Sequence, residues 1–166
     1  MKLSSKDANK MLKGFEQEVY DLLAKENYTR CFTAATTESK EDVRPEYNYE
    51  STQKQVAELQ QKIRKIKHAI NVFNTTTMVD GFNMTIDEML IYIPQLNKHV
   101  QKLQRMKNTE SVTRHVHHSS NIIDYSYINY DLDKVTYDYK QASEELNRAH
   151  LTLDKINITK EFEVDI

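Results

Sequence analysis

The densest group of side chains able to do chemistry is Arg114-His115-Val116-His117-His118. In an extended strand His115 and His117 share one face about 7 Å apart, which lets both neutral imidazoles ligate one divalent metal. Such nitrogen donors favour zinc, nickel or copper over magnesium or calcium. A third ligand would have to be His118, or Asp124 if the segment folds back as a hairpin. No cysteine and no carboxylate at ligand spacing accompanies the pair, so a solvated loop is the favoured reading and metal binding the alternative.

Other reactive side chains stand alone. His68, His99 and His150 are isolated at positions that read as helical, where an interface or surface role outweighs a catalytic one. Cys31 sits beside Arg30, which can acidify a thiol, but a helix-end cysteine without a role is the simpler account. Tyr125, Tyr127, Tyr130, Tyr137 and Tyr139 form an aromatic group suited to packing with wet hydroxyls; partner binding or self-association is the other reading. Asn71, Asn74, Thr75, Thr76 and Asp124 are polar residues expected to fix a helix-to-turn geometry, with a polar pocket as the alternative. Gly14 and Gly81 stand alone, so no phosphate loop can be built, and the acyl-transfer motifs are missing. No cofactor site is expected, and the reading is non-enzymatic.

The elements that hold these residues are written in apolar spacing. From Leu132 the apolar positions run Val135, Tyr139, Ala142, Leu146, Ala149, Leu153 and Ile156, in alternating steps of three and four. Val56, Leu59, Ile63, Ile66, Ile70 and Phe73 form a second seam; Ile86, Met89, Ile93, Leu96, Val100 and Leu103 form a third. Such spacing predicts long helices that bury a narrow stripe against partner helices. Two glycines and two prolines in 166 residues leave little stock for tight turns. The expected architecture is a single mainly α domain over residues 1–166, an elongated antiparallel bundle or coiled coil of about four helices with a small terminal β element.

Charge is uneven. Residues 52–75 carry five basic residues against Glu58, and residues 97–119 five against Glu110, each a balance of +4. Residues 120–166 carry ten acids against five bases, −5. Basic helices beside an acidic one explain this more simply than a nucleic-acid-binding face, which is kept as an alternative. A single cysteine, the lack of an apolar leader core at Met1–Asp7 and the lack of an apolar run near 18 residues point to a cytoplasmic protein with no membrane partner.

Along the chain, a first helix is expected from near Ser5 to about Cys31, burying Ala8, Leu12, Phe15, Val19, Leu22 and Leu23. A flexible polar connection follows over residues 33–47. Asn48 caps a second helix that ends near Asn74, and Asp80-Gly81 supplies a turn. Thr85 and Glu88 form a capping box for a third helix reaching Asn108, with Pro94 inside it and a kink expected there. Ile122–Tyr127 reads as extended, and Asp131 caps the fourth helix. The tail Phe162-Glu163-Val164-Asp165-Ile166 alternates as a half-buried strand does. Its expected partner is the segment from Val112 to Tyr127.

Over roughly residues 60–166 the chain resembles an uncharacterised bacterial family of helical proteins sometimes labelled septicolysin. The residues that carry the likeness are Lys67–Thr77, Met84–Leu96, Arg105–Lys107, Ser120–Tyr127, Asn129–Asp131 and Glu163–Ile166. The resemblance implies a helical architecture and brings no catalytic residues. The cytolysin behind the label implies membrane lysis, which the narrow, charged helix faces argue against. The expected role is a scaffold that forms a homo-oligomer or docks a protein partner.

Overall fold

The computed structural model describes residues 1–116 and 123–166. It is mainly helical, with five helices and three small antiparallel strand pairs among the described residues. In chain order these are β1 (Lys2–Ser4), α1 (Ser5–Thr29), α2 (Lys40–Val43), α3 (Tyr49–Thr76), β2 (Met78–Val79), β3 (Met84–Thr85), α4 (Ile86–Lys107), β4 (Val112–Val116), β5 (Ile123–Tyr127), α5 (Leu132–Thr159) and β6 (Glu161–Glu163). The chain divides into two compact units, residues 1–76 with 156–166, and residues 77–155.

In the first unit α1 starts on Ser4, whose hydroxyl accepts the Asp7 N–H at 3.2 Å. It ends at Thr29, two residues short of Cys31. Of its expected core only Ala8 is fully buried; Leu12, Phe15, Val19 and Leu22 are half-buried, and Leu23 is exposed. Helix α3 runs antiparallel to α1. Glu26 near the end of α1 meets Gln53 near the start of α3, while Ala8 near the start of α1 packs with Ile66. The Asn48 side chain accepts the Ser51 N–H at 3.0 Å, as its capping role requires. Helix α3 ends at Thr76, within two residues of the expected end near Asn74. The Thr75 and Thr76 hydroxyls donate to the carbonyls of Asn71 and Val72 at 2.9 and 2.7 Å and carry the helix two residues further. The connection expected over residues 33–47 also holds a short helix, α2, begun after Ser39.

The tail pairs elsewhere than expected. β6 forms its ladder with β1, Leu3 opposite Phe162, whereas β4 and β5 pair with each other. The Met1 ammonium donates to the Val164 carbonyl, and the Val164 N–H donates to the Met1 carbonyl, both at 2.8 Å. Val164 packs against Ala8 and Ile66, and Phe162 stacks on Phe73 with ring centroids 4.6 Å apart. The two ends of the chain thus find each other because α1 and α3 offer Ala8, Ile66 and Phe73 as an apolar floor.

In the second unit β2 and β3 form a hairpin whose turn uses Gly81 at φ 80° and Asn83 at φ 51°, a region glycine and asparagine tolerate. The turn hands the chain to α4 through the capping box. Thr85 accepts the Glu88 N–H, and the Glu88 carboxylate accepts the Thr85 N–H at 2.7 Å. That hydrogen bond holds the Glu88 carboxyl below its usual range. Asp131 caps α5, accepting N–H bonds from Asp133 and Lys134 at 2.9 and 3.1 Å. Leu96 and Leu103 of α4 cluster with Val135 and Ala142 of α5, flanked by Tyr92, Tyr139 and Leu146.

Candidate functional site

The β4–β5 hairpin brings together His115, Asp124, Tyr125 and Tyr127 of the side chains that the sequence singled out. Its register sets His115 opposite Asp124, Arg114 opposite Tyr125, Thr113 opposite Ser126 and Val112 opposite Tyr127. Directly opposed residues share a face. One face therefore carries Val112, Arg114, Tyr125 and Tyr127, with Ile123 in the same alternation; the other carries Thr113, His115, Asp124 and Ser126. The hairpin delivers Asp124 to His115, as the metal reading required. The His115 Nε2, however, lies 2.8 Å from the Ser126 hydroxyl, so that nitrogen is already engaged. His117 and His118 lie outside the described residues. Among the described residues no group of three or more histidine, cysteine or acidic side chains is arranged to hold a metal.

The remaining sequence candidates fall in different places. Asn71, Asn74, Thr75 and Thr76 form the last turns of α3, where the threonine hydroxyls bond back along the helix. Asp124 is on β5 in the other unit. His68, His99 and His150 are exposed, and so is Cys31. The tyrosine group splits in two. The Tyr130 hydroxyl donates to the Met106 carbonyl at 2.7 Å, and Tyr139 packs against the α4–α5 cluster with the Lys107 ammonium 4.9 Å from its ring centre. Tyr125, Tyr127 and Tyr137 are exposed, and the rings of Tyr125 and Tyr127 lie 6.5 Å apart.

The basic stretches are partly spent inside their own units. Lys67 bridges Glu16 at 2.8 Å, Lys65 bridges Asp165 at 3.6 Å, and the Lys62 ammonium sits 5.4 Å from the Phe15 ring centre. One ion-pair partner thus comes from α1 and one from the acidic tail.

Two tyrosine–carboxylate pairs carry no sequence signature, because their members are far apart in the chain. The Tyr92 hydroxyl donates to Glu145 at 2.6 Å across α4 and α5. The Tyr47 hydroxyl donates to Glu26, which also accepts from Gln53 Nε2 at 2.8 Å. Donation to a carboxylate, with some burial, pushes each phenol up to about 12. The first locks α4 to α5, and the second ties the connection before α3 to the end of α1. Glu26 and Tyr47 also line a partly open cavity of about 250 Å³. An open groove of about 480 Å³ runs along α1 and α3, floored by Leu22 and Leu59 and walled by Glu18, Asp21, Lys25, Glu58 and Lys62.

No protein-family model matches the chain, and no curated protein is similar to it. The fold is similar to the crystal structure of a conserved, functionally unknown protein from Corynebacterium diphtheriae. The TM-score is 0.59 at 14% identity, over 98% of this chain and 100% of that one. At that identity the likeness is one of fold alone. Among the described residues no helix is long and apolar enough to cross a membrane.

Proposed function

We propose that this protein is a non-enzymatic helical scaffold that assembles with itself, its long helices arranged as an antiparallel bundle with faces left open for a second chain. The observation that carries this reading is the number of large apolar and aromatic side chains left on the surface. Tyr20, Tyr28, Leu90, Ile91, Val112, Ile123, Tyr125 and Tyr127 are all exposed.

The resemblance to the septicolysin-labelled family adds a shared architecture to this proposal and no activity. Narrow-striped helices support scaffolding over catalysis. Light scattering coupled to size exclusion tests it. A dimer or higher species whose population grows with concentration is expected. A monomer across the micromolar range would overturn the reading.

A further inference from the structure

Within that assembly reading, one surface has the chemistry to specify its own partner. All five residues of β5 are exposed, and among the described residues β4 and β5 pair with no third strand. One face of the hairpin is apolar and aromatic apart from Arg114, and the other is wholly polar. Val112 is 50% exposed, Tyr125 51% and Tyr127 69%. A two-stranded hairpin with an open apolar face is marginal in water, and among the described residues no third strand covers its edges. Adding strands satisfies both deficits at once.

We infer that β5 pairs antiparallel with β5 of a second copy of this chain, about a two-fold axis at Tyr125, to make a four-stranded sheet. The residue pattern selects this edge. Pairing about Tyr125 sets Tyr125 on the second copy's Tyr125, Ile123 on Tyr127, and Asp124 on Ser126. The contacts are aromatic with aromatic and aromatic with β-branched, and no like charges face each other. The other edge fails the same comparison, because a two-fold on β4 about its central residue sets Arg114 on Arg114. In the joined sheet each Arg114 stays beside its own Tyr125, so the paired rings are flanked by two guanidinium groups, a favourable cation–aromatic arrangement. The opposite face keeps Thr113, His115, Asp124 and Ser126 in water. The contact is isologous and closes as a dimer.

A cysteine placed on the axis tests the register in the full chain. Antiparallel partners stand about 4.5–5.5 Å apart at Cα, within the roughly 4.4–6.8 Å span of a disulfide. The single native cysteine is removed by Cys31→Ser, and Tyr125→Cys is compared with Thr113→Cys on the far strand. Mild oxidation at low micromolar protein is expected to convert most of the Tyr125→Cys chain to a linked dimer and little of the Thr113→Cys chain. In parallel, Tyr125→Lys, which sets two ammonium groups on the axis, is expected to raise the dimer dissociation constant at least tenfold with the helical circular dichroism unchanged. Equal linking at both positions, or an unaltered dissociation constant for Tyr125→Lys, overturns the β5 interface while leaving assembly by another face standing. A wild-type chain that is monomeric at every concentration overturns both.

Discussion

The terminal strand pair, β1 with β6, and the internal hairpin, β4 with β5, are written in similar residues and end in opposite environments. Both alternate apolar with polar or charged side chains. Phe162 and Val164 point at α1 and α3 and are covered, with Val164 only 1% exposed. Val112, Ile123, Tyr125 and Tyr127 keep 45–69% of their surface exposed. Alternation therefore specifies that a face exists, and the nearest unsatisfied apolar floor decides whether it is used internally. The first pair acts as a clamp on its unit; the second keeps its apolar face exposed.

The greatest loss is expected on removing residues 161–166. Burial of Phe162 and Val164 is worth roughly 1.5–3 kcal/mol each, and a unit of this size shifts by about 4–8 °C per kcal/mol. The melting temperature should fall by about 10 °C or more, with most of the helical signal retained below it. An unchanged melting curve would erase the distinction between the two strand pairs.

Ala8→Leu comes next. Ala8 is fully buried where α1, Ile66 and Val164 meet, so the added carbons overpack the clamp at a cost of about 1–3 kcal/mol. Thermal melts of this variant and of the tail deletion, alone and combined, should be less than additive, since both act on one cluster. In the second unit, Thr85→Ala removes one half of the capping box and should cost about 1 kcal/mol by denaturant titration. Because the Glu88 carboxyl is held below its usual range, the stability it contributes is whole above that range and is lost as pH falls through it.

Tyr92→Phe probes the same unit at high pH. The phenol is pushed up to about 12 by its hydrogen bond to Glu145, so its contribution is whole below pH 10 and is lost between pH 10 and 12. Wild type should be more stable than the variant at pH 9, with the gap closing by pH 12. Absorbance titration should show a late tyrosine phase that shrinks in Tyr92→Phe and again in Tyr47→Phe. The smallest effect belongs to the hairpin. Tyr127→Ser in dilute solution should move the melting temperature by no more than about 2–3 °C, as exposed substitutions do. A larger drop would mean that the hairpin is braced from within the chain.

What the sequence by itself determined is local. Every position of the three heptad seams over α3, α4 and α5 is buried or half-buried, because a period of three and four puts those side chains on one stripe whatever lies opposite. The caps at Asn48, Thr85 with Glu88, and Asp131 were readable for the same reason: donor and acceptor lie within three residues of each other. The hairpin that brings Asp124 to His115 was foreseeable only as a condition, and the Ser126 hydroxyl that occupies the imidazole was not visible at all. Tertiary structure alone decided strand partnership. A period of two names a face and never a neighbour, so nothing in Phe162–Ile166 says that its ladder runs to Lys2–Ser4, at the other end of the chain. It equally decided the Tyr92–Glu145 and Tyr47–Glu26 contacts, whose residues are far apart in the chain and meet only once the helices have packed.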